Sequence, residues 1–343
     1  MRIGLVGCGS IGRVHAAVIN SMDQITLCAF ADLRLNHAQE FSDMFTNGVA
    51  TVYASLEEMI DNEELDSVHI CTPHDCHVPM AVMVLDRDIH AFVEKPPAID
   101  RKGFEQLKQA SNSSDGRIGI CFQNRYNGAT KKVDALLAEG RLGMVRGGRA
   151  FVTWNRNAPY YTESDWRGST VREGGGVLMN QSIHTLDLML RWMGNPITVE
   201  ASMHNHRLKG IVEVEDTLEA YLTFSKEEDP VRASFYATNT YVSDAPVFIE
   251  IFCENGFVRM EGSRVSYQGP GDNHPLFWQE EISKITGKPY WGNGHPACIH
   301  DFYRTILSGE LYANRLSAVE NTFQIMIDIY ESAGRLKVEE KMK

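Results

Sequence analysis

The chain has 343 residues, 43% of them hydrophobic and 23% charged, and a formal net charge of −12. At that length one hydrophobic core has usually stopped growing, so two domains are expected, and so acidic a balance offers nucleic acid no counterion-releasing surface. No apolar run approaches the roughly 18 residues of a membrane span, and the seven cysteines, without a C-x-x-C pair, read as reduced thiols of a cytoplasmic protein.

The opening MRIGLVGCGSIG is too short in its apolar part for a secretory leader. Residues 2–6, RIGLV, read instead as a strand running into Gly7-Cys8-Gly9-Ser10-Ile11-Gly12, after which VHAAVIN continues at helical spacing. In this G-x-G-x-x-G the first glycine permits the tight turn and the second lets a pyrophosphate approach the backbone. The third lets helix pack on strand, so the anion sits at the helix N-terminus. A second apolar run, ITLCAFAD, ends in Asp32. A carboxylate there accepts from both ribose hydroxyls of an adenosine and repels a 2′-phosphate, which favours NAD over NADP. Arg34 can stack on adenine or pair with a 2′-phosphate, which leaves NADP open.

Helices at NHAQEFSDMF, SLEEMIDN, CHVPMAVMVLDR and DRKGFEQLKQAS alternate with strands at SVHICTP, HAFVEKP and RIGICFQNR. That order predicts a parallel sheet with helices on both faces, whose ligands gather at the carboxyl ends of the strands. Thr72-Pro73-His74, Glu94-Lys95-Pro96-Pro97 and Gln123-Asn124-Arg125 occupy those ends, where a nicotinamide ring would lie. Lys95, stiffened by two prolines, is either a solvated surface group or a partly buried one. In the second case its pKa falls and it can exchange protons with a substrate hydroxyl.

Beyond residue 124 the pattern changes, dividing the chain into a dinucleotide-binding domain, 1–124, and an α+β domain, 125–343. A helix at ATKKVDALLAEG leads into strands at RGGRAFVTWNR, ITVEASMHNH, DTLEAYLTFS, RASFYATNTY, PVFIEIFCENG and FVRMEG. DTLEAYLTF alternates apolar and polar residues with period two. Such strands make a large, mostly antiparallel open sheet, with a helix over 175–193 covering one face and the other free for self-association. Helices near 296–308 and 316–335 close the chain. The stretch NAPYYTESDWRGSTVREGGG is rich in Tyr, Trp and Arg, suited either to stacking on a sugar or to packing against the other domain. His184, in the predicted helix, has by itself the spacing of an ordinary core histidine. His74 with His77, and His204 with His206, lack a third ligand at sensible spacing, so they read as solvated histidines and no metal site is expected.

In order along the chain, the glycine motif at residue 7, Asp32, CTPHDCH, EKP at 94–96, NRY at 124–126, Trp166-Arg167 and GGG-x-L leading to His184 resemble the glucose-fructose oxidoreductase, inositol dehydrogenase and rhizopine-catabolism (Gfo/Idh/MocA) family. The resemblance covers about the first 190 residues and thins to GNGHPACIHDFYRTI near 292–306. It implies a Rossmann domain, a C-terminal open sheet through which dimers or tetramers form, and hydride transfer between NAD(P) and a secondary alcohol of a sugar, sugar derivative or cyclitol. The family's EKP lysine falls on Lys95 and its helix histidine on His184, the expected catalytic pair. Its Trp-Arg pair near the nicotinamide falls on Trp166 and Arg167, and its TP-loop histidine, facing the cofactor, on His77. Gly7, Gly9, Ser10, Ile11, Gly12, Asp32, Arg34, Thr72, Pro73, Glu94, Lys95 and Gln123 complete the expected cofactor contacts. Arg125, Tyr161, Asn180 and His295 join Lys95 and His184 as expected substrate contacts.

The chain departs from the pattern at Asn180, where many members carry Asp four residues before the histidine. An amide donates and accepts hydrogen bonds but takes no proton, and a missing carboxylate leaves the histidine less basic. Two other activities fit the same residues: a redox glycosidase that restores its cofactor, and a non-catalytic sugar or cofactor sensor.

Overall fold

The computed structural model describes residues 1–224, 230–282 and 292–334, and the chain divides into two compact units. The first comprises Met1–Gln123 and Gly294–Val319; the second starts at Asn124 and includes the chain from Glu320. The sequence reading assigned everything after residue 124 to one domain, whereas the stretch near 300 returns to the first unit.

In the first unit β1 (Arg2–Val6), β2 (Thr26–Ala31), β3 (Thr51–Tyr53), β4 (Ser67–Ile70), β5 (His90–Val93) and β6 (Ile118–Ile120) form one sheet in the order β3-β2-β1-β4-β5-β6. Every neighbouring pair is parallel. The connecting helices are α1 (Ser10–Asn20), α2 (Leu35–Thr46), α3 (Leu56–Asn62), α4 (His74–Leu85) and α5 (Arg101–Ser113). All of β4 is buried, the near-continuous burial of a strand covered on both faces. Ser55 accepts from Glu58 N at the start of α3, and Asp100 from Gly103 N at the start of α5, which settles where those helices begin. β3 is absent from the sequence reading because its three residues are too few to carry a period. The strand order turns back between β1 and β4, the place where such sheets bind their ligands.

The second unit contains α6 (Gly128–Ala138), β7 (Val145–Thr153), α7 (Ala158–Thr162), a π-helix over Val177–Ser182, α8 (Ile183–Met193), β8 (Thr198–His204), β9 (Thr217–Thr223), β10 (Arg232–Thr238), β11 (Phe248–Cys253), β12 (Gly256–Glu261), β13 (Arg264–Gln268) and β14 (Leu276–Gln279). Its strands form an eight-stranded sheet in the order β14-β13-β12-β11-β7-β10-β9-β8. All described pairs are antiparallel except β7 with β10. α8 packs on β7 and β11, and α6 on β12 and β13. Across the sheet, Phe151 pairs with Phe248, and Glu250 lies between Arg149 and Arg259, with both guanidiniums on its carboxylate. β13 and β14 went unread: β13 mixes Arg, Ser and Gln among its apolar residues, and the four residues of β14 are too few to carry a period. The final helices are α9 (Gly294–Ser308), in the first unit, and α10 (Leu316–Ser332).

The predicted single helix over 175–193 is in fact the π-helix followed by α8. Close approach on one side explains the wide turn. Glu215 accepts from Gly176 N at 2.9 Å and Leu178 N at 3.1 Å through its carboxylate, and from Val177 N at 3.1 Å through its carbonyl. A Cβ on Gly176 would stand 1.9 Å from the Glu215 carbonyl oxygen, and one on Gly175 2.1 Å from Tyr330 Oη. Only glycine fits at either position. The Ser182 hydroxyl donates to Val177 O at 2.9 Å, closing the turn from its far end. Such π-turns are rare, and they concentrate at functional sites.

Candidate active site

In the first unit the three motif glycines divide the work as their spacing predicts. Gly7 has φ +93°, and a Cβ on it would meet the Cys71 carbonyl at 2.6 Å; a Cβ on Gly12 would stand 2.3 Å from Gly7 O. A Cβ on Gly9 would meet nothing within 4 Å, so the second glycine alone faces open space. Gly9 is also the N-cap of α1 and supplies no side-chain acceptor. The first amides of Ser10, Ile11 and Gly12 are thus oriented for an anion. Asp32, at the end of β2, accepts from Cys8 N at 2.9 Å and Arg34 N at 2.9 Å, which ties this carboxylate to the glycine loop. Arg34 projects outward, its side chain 71% exposed and its Nε 4.0 Å from Asp32. These residues fit a dinucleotide: an open backbone cradle beside a fixed carboxylate.

Thr72 and Pro73 come one residue after the end of β4, and Glu94 and Lys95 follow β5. His77 is held by the backbone on both sides of its ring. Its ring is fully buried, with Nδ1 2.7 Å from Pro96 O and Nε2 2.9 Å from Thr72 O, so it ties the TP and EKP loops together. His74 is buried as well, which corrects the expectation that this pair is solvated. His204 and His206 are exposed.

Glu94 ends a buried hydrogen-bond chain that sequence reasoning missed. Tyr303 Oη lies 2.7 Å from His69 Nε2, His69 Nδ1 2.8 Å from His15 Nδ1, and His15 Nε2 3.0 Å from Glu94 Oε1. An ionised carboxylate only accepts, so one tautomer set satisfies every link: Tyr303 donates to His69, His69 to His15, and His15 to Glu94. Burial pushes the Glu94 carboxyl up, but the His15 hydrogen bond and the fields of His15, His295 and Lys95 outweigh it and leave it well below the usual range. His295 belongs to this cluster, its ring centroid 6.3 Å from that of His15, and burial drives its pKa down to about 4. Glu94 Oε2 in turn accepts from the Lys95 backbone N–H at 3.2 Å, and Lys95 itself is half-buried. Cys121 Sγ comes within 4.8 Å of the facing His15 and Glu94 atoms, a set of metal-ligand types. The 3.0 Å His15–Glu94 separation is a hydrogen-bond length. Gln123 is buried nearby, its Oε1 3.8 Å from Cys121 Sγ. The one sequence signal for this network was His15, three residues past the glycine motif.

In the second unit His184 is the second residue of α8, and Asn180 precedes it in the π-turn. Two of the expected substrate contacts have hydrogen-bond partners within the chain. Arg125 grips Asp187 through Nε at 2.7 Å and Nη2 at 2.5 Å, and Thr322 donates to the same carboxylate at 2.6 Å. Arg125 therefore clamps the helix that carries His184. Tyr161 is buried with Leu208, Val212 and Val214, and its hydroxyl accepts from Asn239 Nδ2 at 2.9 Å; burial pushes its pKa far up. Its neighbour Tyr160 is half-buried, with the Arg167 guanidinium 4.3 Å over its ring and 5.4 Å from that of Trp166. Glu173, fully buried, accepts from Gly168 N and from Asn180 Nδ2, each at 2.5 Å. Asp187, three residues past His184, and Glu173, just before the glycines, are the functional neighbours the sequence reading passed over.

A profile described as "Oxidoreductase family, NAD-binding Rossmann fold" matches residues 1–122, and the "GFO/IDH/MocA C-terminal domain" profile matches 130–259. The chain belongs to the Gfo/Idh/MocA family. Among curated relatives, myo-inositol 2-dehydrogenase of Thermotoga maritima is 25% identical over 57% of this chain and 56% of its own length. D-glucoside 3-dehydrogenase of Escherichia coli is 25% identical over 61% of this chain and 59% of its own. The chain thus spans a little over half the length of the curated relatives it matches. A solved WlbA dehydrogenase from Bordetella pertussis, in complex with NADH and UDP-GlcNAcA, matches with TM-score 0.81 and 25% identity over 97% of this chain and 96% of that one. Levoglucosan dehydrogenase in complex with NADH and levoglucosan matches with TM-score 0.85 and 19% identity over 98% and 97%, a likeness of fold.

Proposed function

We propose that this Gfo/Idh/MocA protein oxidises a secondary alcohol of a sugar, sugar derivative or cyclitol with NAD. The observation that carries the reading is the open cradle at Gly9 beside the fixed Asp32 carboxylate, in the same unit as a half-buried Lys95 at a strand end. The inositol, glucoside and UDP-sugar compounds named for its relatives support the substrate class.

When bound, the nicotinamide supplies the acceptor for the hydride that leaves the carbinol carbon. The His184 imidazole takes the hydroxyl proton as the ketone forms, and Lys95 donates a hydrogen bond to the same oxygen as it becomes anionic. Glu94, held ionised by His15, fixes the backbone at Lys95. Asn180 hydrogen-bonds the substrate, and Trp166 and Arg167 would contact the cofactor.

The test is turnover of NAD and of NADP on whatever small molecule co-purifies, identified by mass spectrometry, and on a polyol and glycoside panel. Reduction of NAD is expected, with NADP poorer. Asp32→Ala is expected to raise KM for NAD and narrow that preference, because the variant no longer repels a 2′-phosphate. Sugar release without NADH accumulation would instead mark a redox glycosidase, and no turnover on any compound would mark a sensor.

We also assign the face of the second sheet opposite α8 to a second copy of the chain, making a homodimer or homotetramer. It exposes Tyr221, Phe252 and Phe277 beside the stacked Phe151 and Phe248, and its central Glu250 is already neutralised by two arginines. Light scattering is expected to give two or four times the chain mass; the mass of one chain overturns the assignment. Among the described residues no helix is long and apolar enough to cross a membrane. All seven cysteines are free, which supports a reducing, cytoplasmic location.

A further inference from the structure

We propose that Glu173 is a positioning residue for substrate recognition: it fixes the Asn180 amide with Nδ2 turned inward, so that Asn180 offers its carbonyl oxygen as an acceptor. The proposal rests on the reading of Asn180 as a substrate contact.

Which way an asparagine side chain points is decided by its hydrogen-bond partners. Here the partner is a carboxylate. Ionised, it has only acceptors, and one oxygen is already taken by Gly168 N at 2.5 Å. The atom of Asn180 lying 2.5 Å from the other oxygen must therefore be the NH2 group, because a carbonyl oxygen turned to an ionised carboxylate would be repelled. Oδ1 then lies on the opposite side of the amide, where it accepts from a hydroxyl or an N–H. Glu173 is fully buried and held at both oxygens, so the arrangement is stiff.

The same geometry makes the polarity of Asn180 sensitive to pH. Burial pushes the Glu173 carboxyl up, and the buried Glu215 adds to this; the Gly168 and Asn180 hydrogen bonds and the Arg167 cation oppose it, leaving the pKa at about 7. Tyr161 also faces Glu173, and its hydroxyl, itself pushed far up, stays neutral. Above about pH 7 Glu173 is ionised and Asn180 shows its acceptor. Below it, the carboxylic acid gains a proton to donate, which favours the turned amide that shows a donor. A substrate hydroxyl that donates to Asn180 is then bound less well on the acid side.

Two measurements decide this. In protein labelled with ¹⁵N-asparagine, the Asn180 side-chain signal is assigned by its loss in Asn180→Asp and followed across neutrality. The amide protons are expected to move downfield as pH rises through about 7, and Glu173→Gln to abolish that titration. A flat Asn180 signal in the native protein, or an unchanged titration in Glu173→Gln, overturns the proposal. With myo-inositol as the probe, Glu173→Gln is expected to raise KM for the polyol about tenfold above pH 7, the worth of one hydrogen bond, with KM for NAD unchanged. The double variant Glu173→Gln/Asn180→Asp, in which the acceptor is restored, is expected to recover the low KM. A fall in kcat with KM unmoved assigns Glu173 to the scaffold and overturns the proposal. If the native protein turns over no polyol, the proposed function fails, and the titration, which needs no substrate, still decides the inference.

Discussion

His184→Ala is expected to lower kcat/KM on the enzyme's alcohol substrate by about 10²- to 10⁴-fold, the usual worth of a positioned proton acceptor, with NAD affinity unchanged. The imidazole is 8% exposed at the start of α8, held there by the clamp on Asp187 and the wide turn before it. Removing it leaves the glycine cradle and Asp32, in the other unit, untouched. Steady-state kinetics with NAD binding followed by fluorescence quenching check the result. Turnover within a few-fold of native, at intact NAD binding, would remove His184 from the chemistry. Lys95→Ala is expected to act in the same direction, and Lys95→Arg to recover part of the loss by keeping a cationic donor.

Arg125→Ala is expected to cost about 3–5 kcal/mol of stability, because it strands a buried carboxylate without its cation. Asp187 is 1% exposed in its side chain and Arg125 12%; after the substitution only the Thr322 hydroxyl remains among the partners described above. Denaturant unfolding checks the figure. The paired change Arg125→Met with Asp187→Leu should restore most of the stability, since apolar replacement of a whole buried ion pair is often neutral. If Arg125 contacts substrate instead, the paired variant regains stability while KM stays high. Recovery of both stability and KM identifies the pair as the clamp on the helix that carries His184.

The parts of this fold legible in the sequence were those coded by neighbouring residues. The glycine motif between strand and helix, Asp32 at the end of β2 and the alternating elements of the first unit need only local spacing, and the structure places all of them as read. Period-two alternation likewise announced most of the second sheet. Where the pattern was short, as in β3 and β14, or mixed, as in β13, the signal fell below what a period can show.

The roles of polar side chains were another matter. Arg125, Tyr161 and His77 all stood beside the right motifs, yet each has a hydrogen-bond partner distant in sequence: Asp187, Asn239 and Pro96. Nor does local spacing foretell a π-turn, which arises because Glu215 and Tyr330 press against Gly176 and Gly175 from other elements. By itself, then, the sequence determined the cofactor loop, the family and the position of its one departure, Asn180, because these are written in consecutive residues. Only the tertiary structure decided which partners the polar groups take, Asn180 with Glu173 among them, because a hydrogen bond is settled by whatever lies across from it in space.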